Sequence, residues 1–396
     1  MKNVHIFSIR LKNCIIPLIF VLFTLCLIIF SNKNLIAAKN GLKLFANAVV
    51  PSLLPFFIAT ELLSYTNIVY YLGNILNRFM RPLFNVPGIG AFSFIMGIIS
   101  GYPTGAKIVT NFRNDNLCTK EEAERMLAFT NNSGPLFIIG TVGISLFGDT
   151  RTGILLFITH ILACISVGII FRFWKYNSST NSSYNKKQIN NSNKNCSFSN
   201  LGEILGNSIS SAISTVVMIG GFVVLFSVVI SILKESKILE LASFVLYPIS
   251  DLLNISRTFC EAFLTGLVEL TNGVQSVALI PNQLISINVI ICAFLLGFGG
   301  FSVLLQVFSI ISKSDISIKA YFIGKLLQGT LAAFYTFAIL KYTNFFNLDI
   351  VTTFSNISTS VKLYEFNPLC LVPLAIGLLF IILIYKHLKR NKIYVR

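Results

Sequence analysis

Residues 96–107 read MGIISGYPTGAK and interrupt the apolar run that precedes them. Gly97, Ser100, Gly101, Pro103 and Gly105 fall within nine residues. A helix entering this stretch therefore loses a hydrogen-bond donor at Pro103 and gains backbone freedom at the glycines. The spacing predicts a helix broken within the membrane. In hydrocarbon each unpaired backbone group costs several kcal/mol, so a break at that depth is tolerated only where protein buries it or where it lines a polar cavity. Many secondary transporters build their substrate site from broken helices around such a cavity. A cytoplasmic loop between two helices is the plain alternative on composition.

The surrounding chain supports the membrane reading. Its 396 residues are 54% hydrophobic and 12% charged, with a mean hydropathy of +0.77, too apolar for a soluble globule. The net charge of +16 comes from Lys and Arg in the short segments between apolar runs, as membrane topology requires, and nucleic acid is not an expected partner. The eight cysteines show no paired spacing and the three histidines are scattered, so neither a disulfide framework nor a metal site is expected. Lys2, Arg10 and Lys12 precede an apolar run over 14–30. That run exceeds a signal-peptide core and lacks a good cleavage site after it, which predicts an uncleaved first span.

Apolar stretches of roughly 17–25 residues place eight transmembrane helices near 14–30, 45–64, 127–148, 153–174, 210–233, 284–311, 318–340 and 368–385. Two more stretches, 88–109 and 255–281, are interrupted by Gly, Pro and polar residues and read as re-entrant helical hairpins. With the amino terminus inside, 21 basic residues fall in inner segments and nine in outer ones, Lys325 lying within a span. The bias supports both ends inside. Residues 176–200 are almost all Asn, Ser and Lys and read as a disordered cytoplasmic linker.

That linker separates two similar halves. Each has an interrupted hairpin, GIISGYPTGAKIV from Gly97 and GLVELTNGVQSVA from Gly266, followed by a small-residue break in the next span, NNSGPLF from Asn131 and GFGGFSVLLQ from Gly297. The offsets, 169 residues from Gly97 to Gly266 and 166 from Gly134 to Gly300, are what an internal duplication predicts. Counting spans, the first half enters from outside and the second from inside, so the expected fold is an all-α polytopic membrane protein with inverted repeats.

No nucleophile motif, carboxylate pair, metal spacing or Walker loop is present, and the chain is not expected to be an enzyme. The candidate site is a set of polar groups at membrane depth. Ser100, Tyr102 and Thr104 offer hydroxyls beside the freed backbone donors of Gly101 and Gly105, with Lys107 either adding a charge or snorkelling to the interface. Asn131, Asn132 and Ser133 precede the break at Gly134 and Pro135; their amides suit carboxylate or ring-nitrogen recognition, or helix-to-helix hydrogen bonds. Glu269, Thr271 and Asn272 form the second hairpin's polar tip, where a buried carboxylate suits a coupling proton or Na⁺, whereas an outer loop would leave it solvated. Gly299, Gly300 and Ser302 let the backbone of the sixth span approach that tip, with Gln306 one turn beyond. Glu61, Lys325 and Gln328 are further buried polar candidates. Glu61 suits pairing with a lysine that the sequence does not specify.

These residues resemble a known family. VVPSLLPFF from Val49, MGIISGYPTGAK, EEAERMLAFTNNSGPLF from Glu121 and GLVELTNG from Gly266 are similar to the sporulation integral membrane protein family YlbJ, also called SpoVV, over roughly residues 10–385. The family carries the nucleoside-recognition or Gate domain, which is similar to part of the concentrative nucleoside transporters. The resemblance implies inverted repeats with re-entrant hairpins: an anchor over 1–40, Gate-like repeats over 41–175 and 201–345, and a last helix and basic tail over 346–396. It also implies a role in spore formation, in the outer forespore membrane facing the mother cell, moving dipicolinic acid towards the forespore. Carried over by position, the site centres on 101–107, 131–134, 269–273 and 299–302. A nucleoside or other small-metabolite carrier, and a scaffold for other sporulation membrane proteins, are the alternatives; no cofactor beyond a coupling ion is implied.

Overall fold

The computed structural model describes residues 2–176, 200–252, 256–280 and 285–342. The expected linker and the expected span at 368–385 lie outside the described residues. Among those described, the helices are α1 (Lys2–Ile29), α2 (Ser31–Leu44), α3 (Val50–Ser64), α4 (Ile68–Phe84), α5 (Gly90–Ser100), α6 (Thr104–Asn114), α7 (Lys120–Thr130) and α8 (Thr150–Phe171) in the first half. The second half has α9 (Leu201–Glu235), α10 (Ile238–Ser243), α11 (Tyr247–Leu252), α12 (Thr258–Val268), α13 (Leu270–Ala278), α14 (Ile285–Phe298), α15 (Gly300–Ile311) and α16 (Ile318–Tyr342). Two π-helical segments, Phe45–Val49 and Leu136–Leu146, complete the first half.

The fold is an all-α polytopic membrane protein. Among the described residues four helices are long and apolar enough to cross a bilayer, or up to six if each of two bent pairs is one span. Ile213, Val217, Phe334 and Phe337 are among many large apolar side chains left on the outside of these helices, a surface suited to lipid rather than water. The structure redraws the front of the chain. The span expected at 14–30 continues past a 99° bend into α2, and the span expected at 45–64 meets α4 at an 85° bend. Helix α4 escapes a hydropathy reading because its apolar residues are confined to faces: Tyr71, Ile75 and Phe79 point outward while Val69, Gly73 and Met80 are buried. Helix α9, at about 52 Å by its rise per residue, outruns a hydrocarbon core of ~30 Å.

Both interrupted stretches fold back as hairpins. Helices α5 and α6 meet around a turn at 101–103, in which the Tyr102–Pro103 peptide is cis and Gly101 has φ +80°. A Cβ on Gly97 would lie 3.5 Å from Gly105 Cα, and Cβ atoms on either glycine would collide with the Thr130 carbonyl oxygen. The hairpin therefore closes on the end of α7 because it lacks those two methyl groups. Helices α12 and α13 repeat the arrangement: a Cβ on Gly273 would overlap Gly266.

Each hairpin is followed by an interrupted helix. Between α7 and Leu136–Leu146 the chain is extended at 131–134, so the span expected at 127–148 is two segments rather than one. Between α14 and α15 the helix is interrupted at Gly299 and Gly300, with φ +84° and +76°. A hairpin and then a break thus recur in the same order in both halves. The interruptions also meet in space, since a Cβ on Gly101 would stand 3.0 Å from Gly134 N, and one on Gly300 3.1 Å from Leu270 N.

One end of the molecule is tied by charge. Arg125, 1% exposed, donates to the carbonyls of Asn85, Trp174 and Lys175. Buried Glu124 accepts from Trp174 Nε1, pairs with Lys175 and accepts from Ser317 N. Arg113 closes the set with a two-pronged bond to Asp315 at 2.8 and 2.9 Å. Several of the basic residues that the charge count assigned to inner segments therefore gather at this end.

Two measurements check this account. Gly97→Ala and Gly105→Ala each push a methyl group into a backbone carbonyl, and overpacking of this kind should destabilise by about 1–3 kcal/mol. Thermal melting in detergent should show both well below Ser312→Ala, an exposed control. The Arg113 guanidinium beside Asp315 holds that carboxyl below its usual value. A depressed carboxyl stabilises above the unfolded value and stops doing so as pH falls through the folded one. The melting difference between wild type and Asp315→Asn should therefore be present at pH 7, begin to fade at about pH 4 and vanish only below the depressed folded value. It should stay under about 1 kcal/mol because the pair is partly exposed and screened.

Candidate functional site

The four interruptions converge on a buried polar cluster built around Lys325. Helix α16 carries Tyr321, Lys325 and Gln328 at spacings of four and three, which places them on one face. Tyr321 is 1% exposed and Lys325 and Gln328 are fully buried. Lys325 Nζ donates to Gln328 Oε1 at 2.7 Å and to Asn132 Oδ1 at 3.5 Å. It lies 5.2 Å from the Tyr102 ring centre and 5.8 Å from that of Tyr321. Amide oxygens and ring faces are the ways to hold a cation without neutralising it. Among the described residues no carboxylate lies within ion-pair distance of this ammonium.

The break at 131–134 supplies the facing wall. Asn131, fully buried, accepts from Ala106 N at 3.4 Å and donates to the Tyr321 hydroxyl at 2.9 Å, so its side chain caps α6 and anchors α16 at once. Asn132 accepts from Gln328 Nε2 at 2.8 Å and donates to the Phe129 carbonyl and Cys164 Sγ. Ser133 lies beside the Tyr102 phenol, and Tyr102 in turn donates to the Leu296 carbonyl at 3.1 Å. Gly299 stands against that phenol: a Cβ there would be 3.2 Å from its oxygen. His160 reaches Gln328 at 3.4 Å with one ring nitrogen and leaves Nδ1 buried without a partner.

The second hairpin reaches the same region from the other half. Glu269, 3% exposed, accepts from Thr271 N and Asn272 N at 3.0 and 2.7 Å and so caps α13. It is a buried cap, and the solvated outer loop is excluded as its setting. Gly300 joins this tip to Gly299, while the Ser302 hydroxyl is buried and unpartnered. Thr271 and Asn272 are half-buried and bond Glu269 through their backbone.

Of the candidate residues, then, Gly101, Tyr102, Asn131, Asn132, Ser133, Gly299 and Gly300 come together, with Glu269 and Ser302 beside them. Gly105 serves packing. Thr104 and Lys107 line a different cleft, where Lys107 pairs with Glu61, and Ser100 bonds Thr60 of its wall. His160, Cys164 and Tyr321 joined the cluster without any sequence signal stronger than their isolation in apolar helices. Lys325 and Gln328 had one, as polar groups three residues apart in a hydrophobic 25-residue helix.

Comparison with known proteins bears on this arrangement. A family model described as Gate, nucleoside recognition, matches residues 47–173, which span the first hairpin and the first break. The chain is 36% identical over 352 residues to the sporulation integral membrane protein YlbJ of Bacillus subtilis strain 168, an alignment covering 84% of each chain. No solved structure matches the chain.

The cluster's cohesion is testable by a double-mutant cycle. Asn132→Ala leaves the buried Gln328 amide short of an acceptor, and a single unsatisfied group costs about 1–3 kcal/mol. Adding Gln328→Leu removes the orphaned amide but also the last amide acceptor of the Lys325 ammonium, so the cycle is run in a Lys325→Met background, where the double variant should melt no lower than Asn132→Ala. Melting temperatures in detergent that simply add would show the two amides to be uncoupled.

Proposed function

The chain belongs to the family of the sporulation integral membrane protein YlbJ, and from that premise we propose that it is a membrane carrier for a small aromatic dicarboxylate, dipicolinate. It would pass this metabolite from the mother cell across the outer forespore membrane, leaving a further component to carry it over the inner one. One observation carries the reading: a lysine ammonium with no carboxylate partner among the described residues is buried where helix interruptions from both halves meet. A cation at that depth is expensive and marks an ion or substrate path. The groups around it fit a planar dianion, since Lys325 offers charge, the Asn131 and Asn132 amides offer donors, and the Tyr102 and Tyr321 rings offer faces for stacking.

The central cluster and the second hairpin's tip have separate roles in this scheme. Lys325, Asn132 and Tyr102 would hold the substrate. Glu269, whose carboxylate retains acceptor capacity beyond its two backbone bonds, would take a coupling proton or Na⁺. The inverted relation of the halves would let the hairpins expose this centre to each side in turn.

The matched description, nucleoside recognition, favours a second reading, a nucleoside carrier built on the same hairpins. A nucleoside has no need of Lys325's charge. Uptake of labelled dipicolinate into proteoliposomes, with and without proton or Na⁺ gradients, separates the two. Saturable, protein-dependent uptake is expected. Lys325→Met should lower kcat/KM by about 10–100-fold, the worth of a charge-assisted hydrogen bond, while the protein stays folded. Uptake of uridine that dipicolinate does not inhibit would select the second reading.

A further inference from the structure

Helices α3, α6 and α9 enclose a polar cleft apart from the Lys325 cluster, lined by Thr60, Glu61, Ser64, Thr104, Lys107 and Thr215 among others. The Lys107 ammonium makes three contacts there: with Ser211 Oγ at 2.8 Å, with Thr215 Oγ1 at 3.0 Å and with the Glu61 carboxylate. Two hydroxyls from one helix and a carboxylate from another thus surround a single cation. The Lys107 and Glu61 side chains are 24% and 19% exposed, so the cleft is open to the outside while its floor is not. On that floor the Thr104 hydroxyl, in a residue 5% exposed, has no hydrogen-bond partner. Thr104 also opens α6, an 11-residue helix, whose amino-terminal end favours a negative charge.

We propose that this cleft is a second carboxylate-binding site, in which Glu61 is a tethered ligand that holds Lys107 until a carboxylate from solution replaces it. The geometry distinguishes this from an ordinary structural ion pair. A structural pair has no use for an unpartnered hydroxyl and a helix amino terminus beside it, whereas an exogenous carboxylate on Lys107 finds Thr104 as an additional donor. The cleft is also wired to the first hairpin: Thr60, next to Glu61, shares a 2.7 Å hydrogen bond with Ser100, the last helical residue before the turn at 101–103. Displacing Glu61 therefore frees a side chain adjacent to a hydrogen bond that ties α3 to the hairpin's tip. The ligand class is a small mono- or dicarboxylate. The inference rests on the carrier reading only in taking that carboxylate to be the cargo on its way in.

Substituting the two partners distinguishes the models, because a structural pair predicts changes of the same sign and a tethered ligand predicts opposite ones. Equilibrium binding of labelled dipicolinate, and separately of benzoate, is measured on the full-length protein in lipid nanodiscs, the cleft variants and their reference all carrying Lys325→Met so that the central cluster adds no second site. Glu61→Gln removes the internal competitor and should lower the half-saturating concentration, by about tenfold if Glu61 occupies Lys107 nine-tenths of the time. Lys107→Met should raise it by about tenfold or more. The double variant, which leaves no unpaired charge and guards against misfolding, should bind as weakly as Lys107→Met. Glu61→Gln that binds either probe no better than the Lys325→Met reference overturns the proposal, as does a double variant that binds as that reference does. The carrier reading fails on a different result, absence of dipicolinate binding and uptake by wild type. In that case the benzoate arm still decides the cleft.

Discussion

A backbone that leaves the helix inside hydrocarbon must find partners for every donor and acceptor it frees. That demand organises this molecule. Interruptions occur as pairs: the turn at Gly101 lies against the break at Gly134, and the break at Gly300 lies against the hairpin tip at Leu270. Side chains supply the remaining partners. Asn131 accepts from the amino-terminal turn of α6, and Glu269 does the same for α13 with two backbone bonds. Capping of this sort is ordinary at a protein surface; here it is what allows the break to exist at all. The absent side chains at Gly97, Gly105 and Gly273 follow from the same demand, because partners can be shared only where backbones approach within contact distance.

Capping does not account for Lys325. No break needs it, and of the two amide oxygens it bonds, that of Asn132 already accepts from Gln328 Nε2. A buried cation is usually stabilised by a carboxylate, and removing the partner of such a pair is strongly destabilising. This site substitutes dipoles and ring faces, which hold the ammonium in place while leaving its charge uncompensated. The arrangement is poor as structural glue and suitable as a receptor for an anion.

Much of this was legible in the sequence, and the reason is local. Gly101, Pro103 and Gly134 announce broken helices because their backbone chemistry does not depend on what surrounds them. The repeated hairpin and break were legible for the same reason. Helix α4 was not, since its outward residues Tyr71, Ile75 and Phe79 are too few to raise a window's hydropathy. Nor was the division of the candidate residues into two sites. Thr104 and Lys107 are three positions apart on α6 and look like one cluster with Tyr102, yet the turn at 101–103 points Tyr102 towards α14 and leaves Lys107 facing α9. The partner of Lys107 comes from a helix more than forty residues earlier, and pairings of that separation have no signature in sequence spacing.

The distribution of bonds between the halves bears on movement. At one end they are charged and multiple: Arg113 with Asp315, and Glu124 with Ser317. At the centre the ties that cross between halves among the described residues include bonds of neutral groups, Tyr102 to the Leu296 carbonyl, Asn131 to the Tyr321 hydroxyl and Gln328 to Asn132, and the charged one, from Lys325 to Asn132, is long at 3.5 Å. A neutral hydrogen bond contributes about 0.5–1.5 kcal/mol net, and one to a charged group about 1.5–3 kcal/mol. The partial exposure of Arg113 and Asp315 narrows that gap, but buried Glu124 is not screened in the same way. Separation at the centre is therefore less costly than separation at the charged end. A hinge placed at the turn carrying Asp315 and Ser317, with opening at Tyr102 and Tyr321, is the motion this distribution favours, and it would uncover Lys325 first.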